Sequence, residues 1–437
     1  MNDSIPRWSL DQIYPGPESA AFSADLDLLQ ETIAEAGRIL EESATAHTTP
    51  HAVAESVAWL RRILPVYDRC TELFETLESF AYASYSVETG DTAAQQALSA
   101  VGVLSVPLSE MAVRFRSAVT ALPGTIEDLL SDAEDLAGYR SILEETRLFQ
   151  QRQLSPAEES LAADLARSGS DAWSRLHETV SSTLQATWDL ETGETKSVVE
   201  LRAIAYDADR QRRRRAWQLE LEAWRRVETP LAFALNGVKG TTATLNTRRG
   251  WRSTLERSTR QNRLSDTTLT TLLEEMRRAL PLFRQYLLAK ASYLGLPRLS
   301  FYDLFAPVGD SGPQWTFDAA MTYIEEKLGE FDTEIASFVH TARNQRWIDA
   351  QPRSAKVGGA YSIDFPVARQ SRILANFDGS YDGVSTLAHE LGHAWHSHLL
   401  FDLPAAQRQY PMTLAETASI FNETLLFYQT LEETETA

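Results

Sequence analysis

His389, Glu390, Leu391, Gly392 and His393 form an H-E-x-x-H motif. On a helix, residues four apart share a face, so the two imidazoles can converge on one cation. Glu390, next to the first histidine, can then reach a water at that cation without binding the metal itself. Such a set suits hydrolysis by a metal-activated water, with the glutamate as general base. The plain alternative is a surface helix carrying incidental histidines. Against it, four of the eight histidines (His389, His393, His396 and His398) fall within ten residues.

A catalytic zinc needs a third protein ligand and an open fourth position. Spacing separates the options. A metzincin would need Gly and His at positions 396 and 399, which are His396 and Leu399. A short-spaced gluzincin would place a glutamate where Met412 and Thr413 stand. Glu416 is the best candidate, in the helical stretch TLAETASIFNE entered after Pro411. Asp402 is its rival but follows the first helix too soon to fold back onto it. A solvated helix carboxylate is the other reading of Glu416. Glu423, two turns further, shares a face with Glu416 and suits a hydrogen bond to a ligating histidine, or else is an exposed acid. His396, at i+7 from His389, faces the same side and suits packing or a backbone hydrogen bond better than catalysis.

Other elements must position these groups. Helical spacing covers 18–42, 51–88 and 92–120, with Pro65 and Pro107 predicting kinks or boundaries, and a break falls at 121–124. Ser155-Pro156-Ala157-Glu158 opens a helix to about residue 183. A small hairpin is predicted around Thr192-Gly193, from 187–190 to 196–199. Helices follow at 200–246 and 265–293, then a loop at 299–316 and a helix of about 30 residues. From Trp347 the chain is Gly- and β-rich, with a strand at Arg372–Asn376 predicted to lie at a sheet edge. A turn at 378–383 leads into the motif helix at 384–400. The arginine run 212–215 reads as a solvated face with salt bridges.

Composition bounds the rest. The 437 residues, 43% hydrophobic, can build a deep core, and helix formers dominate, so the expected fold is mainly α. A net charge of −20 argues against a nucleic-acid partner. Cys70 is the one cysteine, so neither an intrachain disulfide nor a cysteine metal site is expected. The opening MNDSIPRWSLDQIYPG lacks secretory-signal features, and no run suggests a membrane span, so the expected location is the cytoplasm.

HELGHAWH at 389–396 and AETASIFNE at 415–423 resemble the M3 family of zinc oligopeptidases, most closely its oligoendopeptidase F branch. SRILANF at 371–377, the stretch WIDAQPRSAKVGGAYS before it, and the opening WSLDQIYPG are similar too. The resemblance implies a multi-helix, two-part zincin fold. Two mostly helical halves would face across a deep channel, with a small β-sheet next to the H-E-x-x-H helix. It implies an N-terminal helical region at 1–199, oligopeptidase F-like at about 112–183, and a catalytic region at 200–437. One zinc per chain would be held by His389, His393 and Glu416, with Glu390 as general base. Gly358, Gly359, Ala360 and Tyr361 match the segment that approaches substrate. The family pattern also continues past residue 437 with helices carrying His and Tyr groups, which this chain lacks.

The expected activity is therefore zinc-dependent hydrolysis of short unstructured peptides. The alternatives are an inactive zinc-containing peptide-binding fragment needing a C-terminal half, and a purely structural helical protein.

Overall fold

The structure, a computed structural model, describes residues 5–46, 52–309 and 314–436. It is mainly α-helical. Helices α1 (Ala20–Ala46), α2 (Ala52–Val87) and α3 (Thr92–Ala121) pack side by side. Pro65 and Pro107 lie inside α2 and α3, and neither proline ends its helix. Among the described residues, α3 is the one helix long and apolar enough to cross a membrane. Its buried residues, among them Val101, Leu104, Met111 and Phe115, pack into the protein's own core.

The chain continues through α4 (Ile126–Leu130), α5 (Arg140–Gln150), α6 (Pro156–Ser168) and α7 (Ser170–Thr183). The helix predicted from 155 to 183 is thus two. Ser155 caps the first in a capping box with Glu158, and Gly169 breaks the run at φ −96°, ψ −111°. A Cβ there would sit 2.7 Å from the Leu165 carbonyl oxygen, so only glycine fits this corner.

The hairpin is β1 (Gln185–Thr187) with β2 (Thr195–Ser197), two residues earlier at its start than predicted. Ser197 leaves the strand early because its hydroxyl caps α8 (Val198–Ala203). Helices α9 (Arg210–Arg226) and α10 (Glu228–Arg248) follow within the helical stretch predicted at 200–246, and α11 (Thr254–Gln261) is a further helix between the two predicted stretches. In the arginine run, Arg212, Arg214 and Arg215 are exposed and Arg212 pairs with Asp207, as expected, but Arg213 departs. Arg213 is buried, donating to Asp303, Tyr302 O, Asp207 O and Ala208 O, while Arg215 reaches Trp188 O and lies over its ring.

After α12 (Asp266–Tyr293) come α13 (Phe317–Phe331) and α14 (Thr333–Asn344), again two helices where one was predicted. Asp332, extended at φ −150°, caps α14 by accepting from Glu334 N and so ends the first.

The sheet beside the motif helix has three strands, β3 (Ile348–Asp349), β4 (Tyr361–Phe365) and β5 (Gln370–Leu374), in the order β3-β5-β4. The strand predicted at the edge is therefore central. β5 pairs parallel with β3 and antiparallel with β4, from Tyr361 opposite Leu374 to Phe365 opposite Gln370. Arg372 is wholly buried, its guanidinium donating to Ser9 O, Ser371 O and Gln370 Oε1, so this charge marks a central strand instead of an edge. The outer strands are β3, which is buried, and β4, which is partly exposed and lines the clefts beside the motif helix.

The chain then enters α15 (Tyr381–Leu400), α16 (Ala405–Arg408), α17 (Met412–Ala415) and α18 (Thr417–Thr436). One apolar core joins α1–α5 and takes in Phe365 and Leu374; a second joins α13, α14, α15 and Leu426 of α18. Burying a side chain such as Leu391 contributes about 1.5–3 kcal/mol, and Leu387, Ala388, Leu391 and Ala394 of α15 are all fully buried.

Candidate metal centre

Ser380 starts α15 by accepting from Gly383 N, and its own hydroxyl donates to Asp378. With the apolar face of α15 turned into the second core, His389 and His393 are left on the opposite, half-exposed side. Their rings sit 4.9 Å apart at 80°. Glu416 lies where α17 ends and α18 begins, with φ −85° and ψ 4°. This break in the helix turns its carboxylate toward α15. Glu416 Oε2 is 3.1 Å from His389 Nε2 and 3.2 Å from His393 Nε2.

Those separations bear on metal fit. Bonds of about 2.1 Å in a tetrahedron put ligand atoms roughly 3.4 Å apart. The two nitrogens and one oxygen lie within 4.8 Å of one another and already approach that spacing. Their protonation suits it as well. A hydrogen bond from Ser419 (2.7 Å) and the two imidazoles hold the Glu416 carboxyl below its usual range. Burial lowers the basicity of His393, favouring the neutral ring that ligates.

Glu423 accepts from the other side of the site. Its Oε2 is 3.2 Å from His389 Nδ1 and its Oε1 accepts from Ser385 at 3.2 Å. A carboxylate there fixes the tautomer that leaves Nε2 free for metal. Glu390 is 6% exposed and its Oε2 has no hydrogen-bond partner. Burial, reinforced by Glu416, pushes its carboxyl up to about 7, against the opposing pull of His389 and the Ser362 backbone. Asp402 stays away from the cluster, exposed and paired with Arg369. His396 packs instead of hydrogen bonding: its ring stacks on Tyr410, and its Nδ1 has no partner.

The segment 358–361 lines an open cleft of about 830 Å³ between α7–α8 and the sheet. Gly359, at φ 82°, exposes a turn held by Asn376 Nδ2, which donates to Val357 O and Gly359 O. Tyr361 differs from its neighbours: its hydroxyl lies 2.6 Å from Ser86 Oγ, turned into the helical half. A smaller space of about 210 Å³ continues along β4, where Ala360, Ser362, Glu390 and His393 share the wall.

Two supporting residues escaped the sequence reading. Gly392 is where α18 meets α15: a Cβ there would be 2.6 Å from Ala418 O and 2.7 Å from Ser419 Cα. A glycine between the two histidines was the available signal. Lys356 is fully buried, with Nζ bonded to Asp349 O, Gln351 O and Ala375 O and 2.7 Å from the Asp349 carboxylate. It ties β3 and the end of β5 to the loop that carries Gly358 and Gly359. No pattern in the sequence marks it.

Comparison with known proteins fits this geometry. A model described as peptidase family M3 matches residues 203–436, and one described as oligopeptidase F matches 122–185. Oligopeptidase PepF of Bacillus subtilis is 24% identical over 427 residues, spanning 96% of this chain and 62% of that protein. Group B oligopeptidase PepB of Streptococcus agalactiae is 33% identical over 182 residues, 40% of this chain and 30% of its own. The crystal structure of oligoendopeptidase F from Enterococcus faecium superimposes with a TM-score of 0.61 at 20% identity. It covers 93% of this chain and 68% of that one, a likeness of fold. The chain thus spans less than two thirds of the relatives named by sequence. With the M3 model covering more than half of its residues and the two histidines and Glu416 converging inside that stretch, the chain belongs to peptidase family M3.

Proposed function

We propose that this chain is a zinc-dependent endopeptidase acting on short unstructured peptides. One zinc per chain would be held by His389, His393 and Glu416. The observation that carries the reading is the convergence of those three donors beside a buried, unpartnered Glu390 oxygen. When bound, zinc supplies a Lewis acid that polarises a water and the scissile carbonyl.

The chain's own residues do the rest. Glu390 accepts the proton of the attacking water and returns it to the leaving amine, a role worth ~10²–10⁴-fold in rate. Glu423 holds His389 in the ligating tautomer. An extended peptide lies along the outer edge of β4, bonded through the main chain, while Gly358 and Gly359 let its backbone approach closely. Main-chain recognition tolerates many sequences and requires an unfolded substrate. Residues 1–199 form the helical region facing the catalytic region 200–437 across the cleft. The acidic surface disfavours nucleic acid as a partner.

Glu390→Gln tests this reading. Cleavage of a quenched fluorescent octapeptide should fall by ~10²–10⁴-fold while zinc content stays at one per chain. Unchanged cleavage would remove Glu390 from the mechanism. A second reading is zinc-containing peptide capture without hydrolysis. It predicts saturable peptide binding and no chelator-sensitive cleavage by the unaltered chain.

A further inference from the structure

Beyond Glu390 lies a pocket of about 580 Å³ lined by Glu75, Asp364, Ser397, Arg408 and Tyr410. Ser362, Asp364, Ser397 and Tyr410 also line the small space next to Glu390 and His393, so the two are neighbours along β4. The pocket therefore sits at the opposite end of β4 from the larger cleft by Gly358 and Gly359.

Its charges are unevenly matched. The Arg408 side chain is only 9% exposed. Its Nη2 is 3.0 Å from Glu72 Oε1, but its Nη1 is buried and has no hydrogen-bond partner. A buried guanidinium N–H is seldom left unmatched unless something else is to accept from it. The Glu75 carboxylate has no cationic side chain within ion-pair distance among the described residues. Asp364 is already satisfied, accepting from Ser371 at 2.8 Å and Ser397 at 2.6 Å. The wall thus offers one unused donor and one unused acceptor. Glu72 already neutralises Arg408, and burial pushes the Glu75 carboxyl up to about 7, so a cation arriving beside Glu75 would hold it in its charged form and be held in turn.

The amino terminus of a peptide combines the two missing groups, an ammonium and, on the same residue, the first carbonyl oxygen. A lysine side chain brings the ammonium without the adjacent carbonyl. A terminal carboxylate would meet Arg408 but be repelled by the acids. We propose that this pocket binds the free amino terminus of the substrate peptide, Glu75 taking the ammonium and Arg408 Nη1 donating to the first carbonyl. The bound terminus then fixes which peptide bond lies over Glu390. The proposal rests on the peptide-hydrolysis reading and adds to it how the substrate is placed.

The test uses zinc-loaded Glu390→Gln protein, so that binding is read without turnover. Three octapeptides with a C-terminal fluorophore are compared by anisotropy: one with a free amino terminus, its N-acetyl form, and a free-terminus form with its lysine acetylated. The expected result is binding weakened by ~10-fold or more on N-acetylation, with no effect of lysine acetylation. Adding Glu75→Gln should erase the preference for the free terminus while zinc content is unchanged. Equal binding of the free and N-acetylated peptides overturns the proposal and leaves the hydrolysis reading standing. So does a loss that follows lysine acetylation. Failure of every peptide to bind a zinc-loaded protein would overturn both.

Discussion

Helices α15 and α12 are both long and rich in leucine, and they meet opposite fates. In α15, eight residues are buried, and the helix is clamped by α18, by β4 and β5, and by α13 and α14. In α12, only Lys290 and Ala291 are buried, and Leu272, Met276, Leu282, Phe283, Tyr286 and Leu288 stand exposed. The contrast shows where the candidate site gets its precision. Donor atoms must be held to within fractions of an ångström, which packing on several sides achieves and helix propensity alone does not. Composition does not separate the two helices; neighbours do.

That difference can be broken or sharpened by substitution. The largest effect is expected from His393→Ala. It removes a donor outright, and zinc measured per chain should fall to near zero. Gly392→Ala attacks the clamp without touching a ligand. Forcing α18 away from α15 should cost about 1–3 kcal/mol in denaturant unfolding and weaken zinc binding together with it. Unfolding unchanged from the parent would mean that the close approach of the two helices carries no weight. Glu423→Gln should be milder, lowering zinc affinity by ~10–100-fold in a competition titration with little change in stability. Leu282→Ser, on the exposed arm, should shift stability by less than about 0.5 kcal/mol and leave zinc affinity alone. A clear loss of zinc there would mean that α12 supports the site after all.

Much of the centre could be read from residue order because its chemistry is local. His389 and His393 share a face by helical spacing, and Glu416 and Glu423 are two turns apart by the same rule. Asp402 failed as a ligand because it sits in the turn after α15, where Arg369 pairs with it. Breaks were harder to see. Gly169 and Asp332 each divide a run whose apolar periodicity looks continuous, since a single residue's backbone choice hardly alters the pattern on either side. Buried charges were hardest. Arg213, Lys356 and Arg372 look like surface residues in one dimension, and each is buried among carbonyls or carboxylates contributed partly from distant segments.

By itself the sequence determined a mainly helical chain, the motif helix, and a short list of donors with the spacing that a single cation requires. Those features depend on neighbours three to seven residues away, within reach of helical geometry. Only the tertiary structure decided that β5 lies between β3 and β4, that Gly392 admits α18, and that Arg408 faces a pocket shared with Glu75. Each of these depends on which surfaces meet across hundreds of residues. Such meetings follow from burial and close packing of the whole chain, which no local spacing encodes.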